Sequence, residues 1–312
     1  MATVRVSLPA PSAVEDSELL RKACQGWGTD EKTVIDILAH RDAAQRSQIM
    51  QSYEELYHEN LIKRLESELS GDFEKAMYRW ILDPIEREAF IANEALKEEL
   101  NYRVIIETAY INSTDELLVV KKAYQHRFKR SLEEDVASNT SGDLRKLLVG
   151  LVSTYRYDGE EVDNSLASSE ANILHDAIKK REFSHDEVIR IFTTRSKCQL
   201  NATFNRYKDE NGVSISKDLS AGAPDPFPSA LRIIIRCIVS PHKYFEKLLR
   251  SVLNKAEIDE DTLTRIIVTR AEKDLKIVKD MYEERVNASL ANSIGKQASG
   301  KYKDFLLALA GN

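Results

Sequence analysis

The sequence predicts an all-α protein built from four repeats of roughly 70 residues, and three observations support that prediction. Composition is the first. Only 11 of 312 residues are Gly and 7 are Pro, few for the turns of an all-β chain. Long stretches are instead rich in Leu, Ile, Ala, Glu, Lys and Arg, which favour helix. Periodicity is the second. Val34, Ile35, Ile37 and Leu38, then Val188, Ile189, Ile191 and Phe192, then Leu263, Ile266 and Ile267 fall at helical spacing and lay an apolar stripe along one face. Internal repetition is the third. Arg41, Asn112, Arg195 and Arg270 are spaced 71, 83 and 75 residues apart, and twelve residues after each comes Tyr53, Tyr124, Tyr207 or Tyr282. Four residues after each comes Gln45, Glu116, Gln199 or Asp274, and eighteen after three of the tyrosines comes the glycine of Ser70-Gly71, Ser141-Gly142 or Ser299-Gly300. Such coincidence at one period marks a repeat architecture.

The elements follow in order. The repeats span 14–83, 86–157, 169–243 and 244–312, each read as four or five short helices. Helix starts are expected at Thr29, ahead of Asp30 and Glu31, and at Asp83-Pro84, where Pro suits the first turn. The second repeat is weaker, with Ile105 and Ile106 followed by Thr108 and Ala109. The stretch 157–169 reads as a linker, and 221–229, with three prolines, as a loop. Arg41, Arg195 and Arg270 are expected to make buried polar contacts between helices. Asn112 is expected to be too short to copy them, leaving the second repeat looser.

Bulk properties narrow the function. With 42% hydrophobic and 31% charged residues the chain is globular rather than disordered. A net charge of −6 and a pI near 5.7 exclude a generic nucleic-acid partner. The same acidity opposes direct attraction to an anionic membrane unless a cation bridges the two. Cys24, Cys198 and Cys237 show no CxxC spacing and read as reduced thiols of a cytoplasmic protein. The first fourteen residues lack a signal-peptide core, and no run approaches the ~18 apolar residues of a spanning helix. Membrane contact is therefore expected to be peripheral and reversible.

One pairing points to chemistry. Cys24-Gln25-Gly26-Trp27-Gly28-Thr29-Asp30 is followed, forty residues after Gly28, by Glu68. Glycines let such a stretch turn several carbonyls inward. Three carbonyls and a bidentate carboxylate suit a hard cation such as Ca²⁺, with positions left for water or phosphate.

These residues resemble the annexin family, and plant annexins in particular. The likeness rests on Gly26-Trp27-Gly28-Thr29-Asp30 with Glu68, on 38–46 (LAHRDAAQR), on 268–272 (VTRAE) and on 305–309 (FLLAL), and extends over nearly the whole chain. It implies a curved all-α disc of four repeats with Ca²⁺ loops on its convex face, and Ca²⁺-dependent binding to acidic phospholipid. Carried onto this sequence, the carbonyls of Cys24, Gly26 and Gly28 with the Glu68 carboxylate would hold the ion. The Thr29 carbonyl and Glu31 would form a weaker neighbouring site, and Trp27 at the loop tip would enter the membrane interface. The other repeats depart from the pattern. Glu257, Ile258 and Gln297 stand where Gly28, Thr29 and Glu68 stand in the first repeat. Glu99 and Asn139 occupy the second-repeat positions, and Glu182 without a clear acid the third. Losing the fourth-repeat site removes the avidity of two linked contacts, so binding is expected to be weaker or more pH-dependent than in a two-site relative.

Other chemistry finds less support. His40 lies in a region linked to peroxidase activity in relatives, but no second ligand accompanies it. Plant relatives suggest a redox partner for Cys237 at a position that is Tyr110 here. In 207–218, Tyr207 at the first position spoils an EF-hand reading. Ile189-Arg190-Ile191 resembles a tripeptide invoked for actin binding, but its apolar stripe reads as core. No enzyme is expected. The alternatives are a helical scaffold binding membrane or F-actin largely without Ca²⁺, and a redox activity at His40 or the thiols. Self-association on membranes is a further expectation.

Overall fold

A polar residue just past three of the four anchors, Asp42, Ser113 and Ser196, starts a helix, and this sets the repeat. Asp42 accepts from the Gln45 N–H at 2.9 Å while the Gln45 side chain accepts from the Asp42 N–H at 3.0 Å. Ser113 and Glu116 form the same reciprocal box. Ser196 accepts from the Gln199 N–H at 3.1 Å. Each box satisfies amide donors that a helix start leaves unpaired. Asp274 departs from this role: it pairs with Arg270 at 2.7 and 2.6 Å.

The computed structural model describes residues 1–6, 11–26, 28–97, 99–153, 156–220 and 225–311. Among them are twenty helices and no strand, five helices to a repeat. The first repeat holds α1 (Ala13–Ala23), α2 (Glu31–Leu38), α3 (Ala43–Tyr57), α4 (Leu61–Glu68) and α5 (Gly71–Ile81). The second holds α6 (Pro84–Glu94), α7 (Tyr102–Ile111), α8 (Thr114–Phe128), α9 (Leu132–Ser138) and α10 (Gly142–Val152). The third holds α11 (Asn164–Lys180), α12 (Asp186–Thr194), α13 (Lys197–Asn211), α14 (Ile215–Asp218) and α15 (Pro226–Val239). The fourth holds α16 (Pro241–Leu253), α17 (Glu260–Arg270), α18 (Leu275–Val286), α19 (Leu290–Gln297) and α20 (Gly300–Leu309). None is long and apolar enough to cross a membrane.

Three expectations are corrected at element ends. α2 starts at Glu31 and is capped by Asp30 rather than Thr29: the Asp30 side chain accepts from the Thr33 N–H at 3.1 Å. The linker ends at Asp163, which caps α11, so 164–169 is helical. Residues 226–229 open α15 rather than forming a loop: Asp225 caps it, and proline is tolerated in a first turn, where amide hydrogens have no helical partner. Residues 221–224 lie outside the described residues.

The chain divides into two compact units, Met1–Arg87 with His242–Asn312, and Glu88–Pro241. In the first, Trp80 is fully buried and its indole N–H donates to the Leu38 carbonyl at 2.7 Å. The Arg46 guanidinium stacks 3.8 Å from the Trp80 ring and pairs with Glu272 at 2.9 Å. In the second, the Tyr110 hydroxyl donates to the Phe192 carbonyl under the Arg156 guanidinium, and burial pushes the phenol up to about 12. Ile189 and Ile191 are buried in this core, and Arg190 pairs with Glu187 at 2.8 Å, the packing expected of an apolar stripe.

The anchors explain why the repeats look alike. Arg41 reaches Asp16 on α1 at 2.6 and 2.9 Å, and Arg195 reaches Glu170 on α11 at 2.7 Å. Asn112 is not too short: its amide donates to Glu88 on α6, because the acid there is the longer Glu. Arg270 is the exception, pairing within its own repeat turn with Asp274 and stacking 4.8 Å from Phe245. The twelve-residue tyrosines Tyr53, Tyr124, Tyr207 and Tyr282 are all buried.

Candidate functional site

The candidate site lies where α1 gives way to α2. Cys24 caps α1, its N–H donating to the Leu20 carbonyl at 3.1 Å, and the chain returns when the Asp30 N–H donates to the Ala23 carbonyl at 2.8 Å. Gly26 and Gly28 take φ of +104° and +92° between these ties, with nothing within 4 Å of where a Cβ would sit. A side chain would fit the space but not the backbone, since positive φ costs an L-residue roughly 1–2 kcal/mol. Glycine is therefore needed for the conformation, not for room.

Glu68 is the last residue of α4, and its carboxylate meets this loop. The Thr29 hydroxyl donates to Glu68 Oε2 at 2.6 Å. Arg64, one turn earlier on α4, donates from Nη2 to Glu68 Oε1 at 2.8 Å. The same Nη2 donates to the Cys24 carbonyl. Two of the oxygens assigned from the sequence, the Cys24 carbonyl and a Glu68 carboxylate oxygen, thus converge on one positively charged nitrogen. A carbonyl and a carboxylate are hard oxygen donors suited to Ca²⁺, and their convergence on a cationic group shows that they can face a cation together. The residues fit the ion by donor chemistry and by this internal stand-in.

The remaining assigned residues sit as follows. The Thr29 carbonyl accepts from the Glu31 N–H at 3.0 Å. The Glu31 side chain lines a polar cleft of about 320 Å³ with Ser70, Asp72, Glu260 and Lys301. Trp27, expected at the membrane interface, lies outside the described residues. The Cys24 side chain is buried, and burial followed by the nearby Glu68 charge raises its thiol pKa, which disfavours a reactive thiolate. The His40 ring Nδ1 lies 3.0 Å from the Asp36 carbonyl at the end of α2. The rejected EF-hand stretch is tied up internally, since the Tyr207 hydroxyl donates to Asp218 at 2.7 Å.

The degenerate repeats show what replaces the pair. In the fourth, Gln297 stands in the place of Glu68, and its amide donates to the Leu253 and Lys255 carbonyls at 3.1 and 3.3 Å. These two residues match Cys24 and Gly26 in the repeat. Glu257 and Lys255 are absent from the positive-φ residues of the described chain, so this loop turns differently from the first. In the second repeat, Asn139 donates back into its own helix end, to the Asp135 carbonyl at 2.8 Å. Sequence reading missed Arg64 and the substitute bond of Gln297. The spacing of Arg64 and Glu68, one helical turn apart, was the available signal.

Comparison with known proteins follows the same outline. The family model described as Annexin matches residues 15–80, 88–151, 169–223 and 244–309. The chain is 55% identical over 312 residues to the annexin-like protein RJ4 of Fragaria ananassa, covering all of this chain and 99% of that one. Its fold superposes on chicken annexin V with a TM-score of 0.92 at 31% identity, covering 100% and 99% of the two chains. A calcium-bound annexin (Sm)1 structure matches with a TM-score of 0.83 at 27% identity, covering 100% and 93%. Four matched segments that together span most of the chain, and identity sustained along the full length of a plant relative, make this chain a member of the annexin family.

Proposed function

We propose that this protein binds acidic phospholipid membranes peripherally in a Ca²⁺-dependent way, through the first-repeat loop alone. Family membership implies Ca²⁺-dependent phospholipid binding. What supports assigning it to the first repeat is the convergence of the Cys24 carbonyl and Glu68 on a single cationic nitrogen. The carbonyls of Cys24, Gly26 and Gly28 and the Glu68 carboxylate would hold Ca²⁺, with Thr29 and Glu31 serving a weaker neighbouring position. The ion would supply positive charge that lipid phosphate can ligate. One carboxylate gives low intrinsic affinity, on the order of 10⁻⁴–10⁻³ M without lipid, raised by linkage when phosphate completes the shell. The fourth-repeat loop has an amide where the carboxylate would be and adds no second contact.

The test is co-sedimentation with phosphatidylserine-containing vesicles across a Ca²⁺ series, wild type beside Glu68→Gln. Wild type should pellet only with Ca²⁺, and the variant should require at least tenfold more or fail, a loss of about 1.4 kcal/mol or greater. Equal pelleting of both would transfer the function elsewhere on the protein.

A further inference from the structure

We propose that Arg64 is a built-in competitor for the first-repeat cation site: its guanidinium closes the site when metal is scarce and must withdraw before metal can bind. This inference rests on the site assignment above and concerns its regulation.

The geometry is direct. Nη2 of Arg64 touches both the Cys24 carbonyl and Glu68 Oε1, two oxygens assigned to the ion. A guanidinium and Ca²⁺ cannot share them, because the positive charges would repel and the oxygens cannot face both. Arg64 is also imperfectly satisfied there. Its Nε is buried without a hydrogen-bond partner, so the stand-in holds less firmly than a fully bonded arginine would. A second acid lies beside it: Glu59 Oε1 is 3.9 Å from Nη1, while the other oxygen of Glu59 pairs with Arg21. Withdrawal toward Glu59 would keep the guanidinium paired.

The other repeats show that an arginine is not what the fold needs at this position. The residue eleven after each buried tyrosine is Arg64, Asp135, Asp218 or Ser293. Asp135 and Asp218 accept from their tyrosine hydroxyls at 2.6 and 2.7 Å, and Ser293 bonds within its own helix to the Ser289 carbonyl. Only in the repeat whose loop keeps the glycines and the carboxylate does this place hold a cation. There, Tyr53 finds Arg21 instead, at 3.2 Å.

The experiment measures Ca²⁺ binding calorimetrically, without lipid, for the full chain carrying Arg64→Ser, Arg64→Asp, Lys63→Ser and Glu68→Gln. Arg64→Ser should bind roughly tenfold more tightly, the scale of losing a charge-assisted competitor at a half-exposed site, and Arg64→Asp more tightly still. Lys63→Ser removes one charge from the neighbouring exposed position and should change affinity less than threefold. A second readout is hydrogen exchange of loop amides 24–30 in EGTA, which Arg64→Ser should accelerate because the metal-free cross-link is gone. Unchanged or weaker Ca²⁺ binding in both Arg64 variants overturns the competition, as does an equal gain in Lys63→Ser, which would reduce the effect to general charge. If Glu68→Gln binds Ca²⁺ like wild type, the site assignment itself fails, and the competition fails with it by a separable route.

Discussion

The first and fourth repeats share one scaffold and answer the same problem differently. Both end a helix and open the next after a short loop, 24–30 between α1 and α2 and 254–259 between α16 and α17. In both, the carbonyls at the helix end need a positive partner. The first repeat offers Glu68 and glycines at positive φ, with Arg64 across the gap. The fourth offers Gln297, a neutral donor at the end of α19, which bonds the Leu253 and Lys255 carbonyls directly. On the reading proposed above, a removable cation regulates the first arrangement, whereas an uncharged amide already bonds the carbonyls of the second. Loss of a metal site is therefore more than deletion of a carboxylate. The carbonyls it leaves behind are met by another donor, here the Gln297 amide.

The anchors extend the comparison, and breaking them should give the largest effect on folding. Arg41 and Asp16 are almost wholly buried, with side chains 5% and 2% exposed. Asp16→Asn would leave the Arg41 charge inside without its counter-ion, a loss of about 3–5 kcal/mol, read as a lowered urea midpoint. A change under 1 kcal/mol would mean that the His40 carbonyl, which accepts from Arg41 at 3.0 Å, suffices.

The fourth repeat uses a different acid, and pH should reveal it. Burial works to raise the Asp274 carboxyl, but the Arg270 guanidinium outweighs it and holds the group below its ordinary 3.8. A depressed carboxyl stabilises the fold above its unfolded value, and the contribution fades as pH falls through the depressed value. Wild type should thus lose stability as pH falls below about 4, and Asp274→Asn should lose less over that window, though it is less stable at pH 7. Chemical denaturation at a series of pH values checks this; parallel curves for the two proteins would remove Asp274 from the acid response.

How much of this could be read before the fold was known depends on what each feature needs. The repeat was legible because its markers sit at fixed spacing in sequence: capping acceptors, buried tyrosines and Ser-Gly helix starts each serve a local backbone requirement. The loop and Glu68 were legible for the same reason, a glycine pattern plus one acid at a set distance. The start of α15 was misread because proline breaks a helix interior but suits its first turn, and sequence alone gives no position within the helix. Asn112 was misjudged because reach depends on both partners, and Glu88 supplies the extra length. Arg64 escaped notice because its role depends on which way one side chain bends across a loop forty residues away. Gln297 registered only as a missing acid, since its replacement bond is tertiary.

The smallest expected effect is the most discriminating. Gln297→Glu places a carboxylate where the first repeat has Glu68, and removes the amide donor from the Leu253 and Lys255 carbonyls. Without metal the variant should be less stable by about 1–2 kcal/mol, the cost of facing those carbonyls with another acceptor. Calcium should recover part of that loss, but only at concentrations about tenfold or more above those that fill the first repeat. The reason is backbone rather than charge: Lys255 and Glu257 do not adopt the positive φ that Gly26 and Gly28 provide. Calorimetry would then count one strong and one weak equivalent of Ca²⁺. Two equivalents of equal strength would mean that a single carboxylate decides the site and that the glycine turn follows from it, since non-glycine residues would then have reached a competent loop. One equivalent, even at millimolar Ca²⁺, would mean the reverse, that the backbone is the gate and the acid only completes what the glycines have already arranged.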